Sequence, residues 1–208
     1  MGAMRLVDSS ALDESQLSSV QSIYLDAFPE SLRVPFEDLL VDRLLVLLHD
    51  GRPVGFALVR ALGPTSWMFL RYYAVGPKGG GLGTTMWREL TDRLAAEGTT
   101  RLVWDVEDPD EPGIDTHEAE VHRRRIGFYE RLGARLLPVR GYAPPHDGEI
   151  GAPPLLLMDQ RLDASNAFAD AEPDLQAIVT GVYLWRYGVP ASDALVVDTL
   201  RASGILVP

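Results

Sequence analysis

The chain lacks cysteine altogether and has a single lysine, Lys78, among its 208 residues. The absence of cysteine excludes disulfide bonds, thiolate metal sites and a cysteine nucleophile. The sequence also lacks a run of about 18 or more apolar residues, and it does not open on a basic segment followed by an apolar run and a small-residue cleavage site. We therefore expect a soluble, cytoplasmic protein that has no membrane partner.

Positive charge is scarce as well. Acidic residues outnumber basic ones by 30 to 19, and the formal net charge is −11. This balance repels a phosphate backbone, so we expect no nucleic acid partner, whereas a cationic substrate such as an amine would be attracted.

The histidines and serines form no recognisable site. His117 and His122 are five residues apart and therefore diverge around a helix, while His49 and His146 lie in other segments. The Gly-x-Ser-x-Gly pattern of many hydrolases does not occur. The sequence thus predicts no metal site and argues against a serine hydrolase of that type.

The hydrophobic pattern predicts an α/β (α+β) fold with a mixed, mostly antiparallel central sheet flanked by helices. The predicted strands are 4–7, 44–48, 54–62, 67–75, 102–106, 134–139 and 155–161. The predicted helices are 13–28, 35–40, 84–97 and 117–132, with two more between 172 and 203. We expect one catalytic domain over 4–161 and a C-terminal helical extension over 162–208, packed on the same domain.

The segment 72–85, which reads YYAVGPKGGGLGTT, is the most informative. Its glycines lie between a predicted strand and a predicted helix, where they allow positive φ angles and expose backbone N–H groups at the positive end of the helix dipole. The pattern indicates an anion-binding loop, and a flexible glycine turn without a ligand is the alternative. A Walker-type loop is disfavoured because Lys78 precedes the glycines, and a Rossmann motif because three strands precede them.

Two motifs resemble those of one family. Lys78, Gly81 and Gly83 match positions of the Arg/Gln-x-x-Gly-x-Gly/Ala cofactor motif of the Gcn5-related N-acetyltransferase (GNAT) superfamily, and 128–134, FYERLGA, matches its aromatic-Tyr-x-x-x-Gly pattern. Over about 4–161 the chain is therefore similar to GNAT proteins, and its tail is similar to extensions of some bacterial members. The resemblance implies a GNAT-like fold and transfer of an acetyl or other acyl group from acetyl-CoA or another acyl-CoA, by direct attack, to a primary amine of a small molecule or peptide.

The resemblance also implies roles for individual residues. Backbone groups of Ala74 and Val75 would pair with the pantetheine arm of the cofactor. Tyr129 would donate a proton to the departing thiolate, and the alternative is that Tyr129 only packs under the sheet. The residues expected to bind the pyrophosphate are Lys78, Gly79, Gly80, Gly81, Leu82, Gly83 and Thr84.

A base is needed because only an uncharged amine attacks the acyl carbonyl. Glu107 is the first candidate, since alternation places Asp105 and Glu107 on one strand face, where two carboxylates would raise one another's pKa. A pair of solvated carboxylates at a strand end is an equal alternative. His117 and His122 are weaker candidates.

Two further cofactor contacts are predicted in the helix that carries Tyr129. His122 stands where many GNAT members have an asparagine that contacts the pantetheine. Arg125, together with Arg123 and Arg124, would reach the 3′-phosphate because guanidinium binds phosphate through two parallel hydrogen bonds. A solvated helix face is the alternative for the arginines.

Other functions remain open at this stage. A non-catalytic, acyl-CoA-binding sensory module would keep the anion-binding loop without acceptor chemistry, and an interaction protein would use the acidic surface and the aromatic tail. In that tail Tyr183, Trp185 and Tyr187 are expected to pack against the sheet, or else to cover the acceptor site. The acceptor is not specified by the sequence, and a homodimer is the default assembly.

Overall fold

The computed structural model of the chain describes residues 2–30, 33–76, 79–145, 154–163 and 174–205. Lys78 and His146 lie outside the described residues. Strands occupy Met4–Asp8 (β1), Arg43–His49 (β2), Arg52–Ala61 (β3), Trp67–Val75 (β4), Arg101–Glu107 (β5), Arg135–Leu136 (β6) and Leu155–Arg161 (β7). Helices occupy Glu14–Ala27 (α1), Phe36–Leu39 (α2), Leu82–Ala96 (α3), Thr116–Glu130 (α4), Leu175–Tyr187 (α5) and Ala194–Ala202 (α6), and a 3₁₀ turn occupies Ser9–Ala11.

The strands form one sheet in the order β1-β2-β3-β4-β5-β7-β6. Antiparallel pairing joins β1 to β2, β2 to β3, β5 to β7 and β7 to β6. In contrast, β4 and β5 are parallel, with Trp67 opposite Arg101 and Phe69 opposite Val103. The predicted fold class, a mixed and mostly antiparallel sheet flanked by helices, is confirmed. Within the described ranges no helix is both long enough and apolar enough to cross a membrane.

Local sequence signals account for the helix ends. The Asp13 side chain accepts a hydrogen bond from the Gln16 N–H while the Gln16 side chain bonds the Asp13 backbone, so α1 begins with a capping box. Asp115 caps α4 through the N–H groups of His117 and Glu118. Just beyond α4, Gly133 has a φ of 95°, a left-handed conformation that stops a helix.

The strand predicted over 134–139 is shorter than expected. Only Arg135–Leu136 pair with β7 as a strand. The Leu137 N–H still bonds the Leu157 carbonyl at 2.9 Å, but the Val139 N–H bonds the Leu137 carbonyl at 2.8 Å, so the backbone turns there. Leu137 and Val139 are both buried, and this turn lets both side chains enter the core.

Contacts between Cα atoms divide the chain into two compact units. Unit 1 comprises Met1–Arg60 and Leu70–Thr99. Its core lies between α1, α2 and the strands β2 to β4, and the side chains with the least exposure there are Val20, Tyr24, Leu39, Leu44, Val46, Leu48, Phe56 and Leu58. These apolar residues recur at helical spacing in α1 and at alternate positions in β2 and β3, as the sequence pattern predicted.

Unit 2 comprises Ala61–Phe69 and Thr100–Pro208. Its core combines strand residues such as Phe69, Val103 and Leu157 with residues of the two C-terminal helices. The helical contribution is Ile178, Val179, Val182, Tyr183, Val196 and Leu200. Helices α5 and α6 therefore share one core with β5 and β7. The division at residue 161 into a domain and an extension stays a prediction.

Candidate active site

The glycine loop before α3 has the backbone conformation of an anion-binding loop. Gly79, Gly80 and Gly81 have φ angles of 95°, 66° and 75°, and among the described residues, chain neighbours apart, no atom lies within 4 Å of the position that a Cβ would take on any of them. Three successive left-handed residues are strained for any residue except glycine. All three glycines are exposed, so a ligand can reach their backbone.

The first turn of α3 adds donors to this loop. The first helical hydrogen bond runs from the Thr85 N–H to the Gly81 carbonyl at 3.0 Å, so the N–H groups of Leu82, Gly83 and Thr84 precede the intrahelical ladder. Gly81 provides no side-chain cap. The sequence therefore places three backbone donors at the positive end of the α3 dipole, where they favour a phosphate group.

Tyr73 holds this helix terminus against β4. Its hydroxyl donates to the Gly83 carbonyl at 2.6 Å, and its ring makes an edge contact with Trp87 at 5.4 Å between ring centroids. Sequence reasoning missed Tyr73. The available signal was its position in the strand that leads directly into the glycine loop.

The backbone direction of β4 separates the two predicted pantetheine contacts. The Gly76 N–H bonds the Val54 carbonyl on β3 at 2.9 Å. Because backbone groups of successive strand residues point to opposite edges, those of Ala74 point toward β3 and those of Val75 away from it. The Ala74 carbonyl oxygen agrees, since it lies 2.8 Å from where a Cβ on Gly55 would stand. Val75 is therefore the better placed of the two candidate contacts, and both stay predictions.

Tyr129 lies on the buried face of α4 and packs against β5. Its ring centroid is 5.0 Å from that of Trp104, and the residue is only 7% exposed. Burial raises the pKa of the Tyr129 phenol well above its usual range, the charge of Arg125 opposes this only in part, and the charge of Glu107 adds a smaller increase. The phenol is thus protonated at neutral pH, which is the state that a proton donor requires.

Glu107 is paired with Arg125, not with Asp105. The Arg125 Nη1 donates to the Glu107 Oε2. Burial raises the pKa of the Glu107 carboxyl, but the charge of Arg125, its hydrogen bond and smaller contributions from a backbone hydrogen bond and His122 together outweigh burial, so the pKa lies below its ordinary value. The expectation of a raised pKa for Glu107 is therefore wrong. Arg125, expected at the 3′-phosphate, is engaged by Glu107, 18 residues earlier in the chain.

His122 is buried on the same face of α4 as Tyr129. It is 7% exposed, and among the described residues its Nδ1 atom has no hydrogen-bond partner. An orphaned polar atom in this position fits a ligand contact, because leaving it unbonded costs free energy. His117 is exposed, as expected of a residue at a helix start.

Asp105 instead forms a cluster with two tyrosines that sequence reasoning did not connect. The hydroxyls of Tyr142 and Tyr187 both donate to its Oδ2 atom, at 3.1 and 2.9 Å. Tyr142 lies in an irregular segment. The sequence around it has no helical or strand periodicity, so nothing in the sequence indicated that Tyr142 contacts β5. Tyr183 is fully buried, while Trp185 is 45% exposed.

The two units thus carry different chemical capacities. Unit 1 offers a backbone anion-binding loop, and unit 2 offers a protonated phenol beside an ionised carboxylate. Among the described residues no group of three or more His, Cys, Asp or Glu side chains could hold a metal ion. The set of residues suits binding of a phosphorylated ligand and proton transfer without a covalent relay.

The chain is similar to known proteins in sequence and in fold. The model of the acetyltransferase (GNAT) family matches residues 14–134. Among curated proteins, none matches this chain. A Bacteroides thetaiotaomicron protein assigned to the GNAT acetyltransferase family has a TM-score of 0.67 at 24% identity, covering 90% of this chain and 99% of that one.

Two further solved structures share the fold. The ribosomal-protein-S18-alanine N-acetyltransferase of Escherichia coli has a TM-score of 0.54 at 17% identity, covering 79% of this chain and 97% of its own. An aminoglycoside 6′-N-acetyltransferase in complex with coenzyme A has a TM-score of 0.55 at 15% identity, and the match covers 76% of this chain and 97% of that one. At these identities the likeness shows the fold alone. Because the family model spans more than half of the chain, the protein belongs to the acetyltransferase (GNAT) family.

Proposed function

We propose that this protein transfers the acetyl group of acetyl-CoA to a primary amine of a small molecule or peptide. The observation that carries the proposal is the run of three left-handed glycines, Gly79 to Gly81, which opens onto the first turn of α3 with free space beside each residue. This loop fits a pyrophosphate, and family membership supports acetyl transfer. The net charge of −11 favours a cationic amine among possible acceptors.

The described residues fit coenzyme A in two places. In the proposal, N–H groups of Gly79, Gly80, Gly81, Leu82, Gly83 and Thr84 hold the pyrophosphate. Val75 pairs with the pantetheine through its backbone, and the orphaned Nδ1 of His122 bonds the same arm. Lys78 would add a positive charge beside the loop. When bound, acetyl-CoA supplies an acetyl group activated as a thioester.

The chain's own residues would manage the protons of the transfer. Tyr129 holds its proton at neutral pH and would give it to the departing sulfur. Glu107 is ionised, which is the form that accepts a proton, although its lowered pKa makes it a weak base. With no cysteine in the chain, direct attack of the amine is the simplest route.

The proposal is tested by thiol release from acetyl-CoA in the presence of an amine panel, with coenzyme A binding measured separately by isothermal titration. The panel contains putrescine, tyramine, kanamycin, glycinamide and a peptide with an N-terminal alanine. Release that depends on one class of amine supports the proposal. Binding of coenzyme A without release would favour a sensory module, for which the engagement of Glu107 by Arg125 is the motivating observation. Absence of coenzyme A binding would overturn both.

The phenol of Tyr129 is tested by Tyr129→Phe. We expect the variant to lose at least about 100-fold in kcat, within the range of general acid catalysis, with little change in the KM for acetyl-CoA. Steady-state kinetics measure both. Tyr24→Phe is the matched control, because Tyr24 is also buried and its hydroxyl bonds the Val34 backbone. Equal kcat values for Tyr129→Phe and the wild type would exclude Tyr129 as the proton donor.

A further inference from the structure

The first turn of α3, in unit 1, starts without the usual stabilisers of a helix. Gly81 precedes it without a side-chain cap, and the turn contains no acidic residue. Gly83 lies within the turn, and glycine is among the least favourable residues inside a helix. By contrast, Asp13 and Asp115 cap α1 and α4 by accepting hydrogen bonds from backbone N–H groups. The start of α3 is therefore weak by itself.

Tyr73 bonds this turn from its carbonyl side. The Tyr73 hydroxyl donates to the Gly83 carbonyl at 2.6 Å. A carbonyl oxygen has two lone pairs, so it can accept this bond as well as a helical one. A conventional capping side chain stabilises a helix start by bonding its N–H groups. The bond from Tyr73 ties down the same part of a helix and does not use the N–H groups of Leu82, Gly83 and Thr84.

Packing sets the position of the Tyr73 hydroxyl. The Tyr73 ring makes an edge contact with Trp87 at 5.4 Å between ring centroids and an interplanar angle of 79°. Trp87 lies one helical turn after Gly83 and is 1% exposed. An edge-to-face pair of this kind stabilises a defined ring orientation. The hydroxyl therefore meets the first turn of α3 in a fixed geometry.

The other end of α3 is fixed by charged side chains of the same unit. Arg93 pairs with Asp8 and donates to the Leu6 carbonyl at 3.1 Å. Glu97, directly after the helix, accepts from Arg43 at 3.0 Å. With Tyr73 at its start, α3 is thus tied to the sheet at both ends. A binding loop that is ordered in advance loses less entropy when its ligand binds.

We propose that Tyr73 is a positioning residue of the pyrophosphate-binding loop. Its hydroxyl holds the first turn of α3 in the ligand-binding arrangement before the cofactor arrives, and the N–H groups of that turn bind the pyrophosphate. This inference rests on the proposed function, since it concerns the cofactor site of that enzyme. The pyrophosphate is remote from the thioester, so its contacts are the same before and during acyl transfer. Loss of the hydroxyl therefore weakens cofactor binding and leaves the transfer step unchanged.

The test compares Tyr73→Phe with the wild type in the full chain. Phenylalanine keeps the ring and removes the hydroxyl. Tyr24→Phe is the matched control, because Tyr24 also belongs to unit 1 and its hydroxyl donates to a backbone carbonyl, that of Val34, at 3.2 Å. The probes are coenzyme A and 3′-dephospho-coenzyme A, which both carry the pyrophosphate, and titration calorimetry measures their binding.

We expect Tyr73→Phe to lose about three- to tenfold in affinity for both probes, the effect of one hydrogen bond, and Tyr24→Phe to bind them like the wild type. The KM for acetyl-CoA should rise by the same factor, and kcat should stay within about twofold of the wild type. Affinities of Tyr73→Phe equal to those of the wild type, or a loss confined to coenzyme A, would overturn the inference. Thiol release by the wild type would show that the acetyltransferase proposal survives that result, whereas absence of coenzyme A binding by the wild type would overturn both.

Amide hydrogen exchange of the ligand-free wild type covers the case in which Tyr73→Phe does not fold. The first helical bond of α3 runs from the Thr85 N–H, and that of α1 runs from the Leu17 N–H, where a capping box is present. We expect similar protection of both amides, although α3 has no side-chain cap, and exchange of Thr85 about three- to tenfold faster in a folded Tyr73→Phe. Exchange of Thr85 in the wild type at the rate of an unstructured peptide would show that the turn is not held, and the positioning role would be wrong.

Discussion

His122 is a buried side chain whose unsatisfied nitrogen indicates a binding site. Its Nδ1 atom has no hydrogen-bond partner among the described residues, although the side chain is almost fully buried. An unsatisfied buried polar atom costs about 1–3 kcal/mol. A residue that costs stability in the ligand-free protein is typical of a binding site, where the missing bond forms with the ligand.

His122→Leu should therefore separate stability from binding. We expect the free energy of unfolding of the ligand-free protein to rise by about 1 kcal/mol, since an orphaned nitrogen is replaced by an apolar group. The stabilisation that coenzyme A adds should become smaller. Urea unfolding with and without coenzyme A measures both, and His117→Leu, at an exposed position of α4, is the control. This account would be contradicted if His122→Leu were less stable than the wild type and if coenzyme A raised the unfolding free energy of both proteins by the same amount.

At this scale the sequence predicts residue types better than it predicts partners. Tyr129 and the glycines follow from local motifs, and in the structure Tyr129 is buried and the glycines have positive φ angles, while their roles stay predictions. The partner of Glu107 could not be predicted, because Arg125 reaches the carboxylate only once α4 has docked on β5. The contacts of Asp105 with Tyr142 and Tyr187 depend on segments 37 and 82 residues away.

Among the elements, the loop that opens α3 combines backbone strain with proposed binding. An alanine at Gly79 would have to adopt a φ near 95°, and within the described part of the chain no atom beyond its sequence neighbours crowds the new Cβ. Gly98, just beyond the other end of α3, has a φ of 90° and equally open surroundings. Gly79 and Gly98 therefore have similar backbone conformations, but only Gly79 lies in the proposed binding loop.

Gly79→Ala and Gly98→Ala should lose similar amounts of unfolding free energy, about 1–2 kcal/mol each, because both force an L-residue into the left-handed region. Only Gly79→Ala should weaken coenzyme A binding, by about tenfold or more, since distortion of the loop moves its N–H groups away from the pyrophosphate. Calorimetric titration and urea unfolding provide the two measurements. Equal coenzyme A affinities for the two variants would argue against the glycine loop as the pyrophosphate site.

Element positions were predictable because periodicity and turn residues are local signals. Helix and strand ends agree with the predictions within about two residues, and the strand over 134–139 is the exception. There the apolar residues Leu137 and Val139 enter the core from a turn, and alternation alone does not distinguish such a turn from a continued strand.

At the scale of the whole molecule, the C-terminal helices contribute more to the core than the sequence indicates. The family model ends at residue 134, yet α5 and α6 provide six buried residues to the core of unit 2, among them Ile178 and Val182. Removal of one large buried aliphatic side chain costs about 2–5 kcal/mol, and a typical domain is stable by about 5–15 kcal/mol. The free energy lost with both helices therefore exceeds the free energy of unfolding expected of unit 2.

A chain that ends at Arg161 should lose the cooperative packing of unit 2. We expect a weak near-ultraviolet circular dichroism signal from its tryptophans and binding of a hydrophobic dye, both signs of lost side-chain packing. The control chain ends at Ile205 and keeps both helices. Cooperative urea unfolding of the shorter chain, with the midpoint of the control, would show that the helices are an independent addition.

The discontinuity of unit 2 has a consequence for synthesis on the ribosome. Every segment of unit 1 has been translated once Thr99 has been added, whereas unit 2 needs Leu62 and Phe69 together with residues as late as Leu200. Folding during translation generally proceeds from the N-terminus. The segment Ala61–Phe69 must therefore wait for most of the chain, and the nascent protein exposes its apolar side chains until the last helix leaves the exit tunnel.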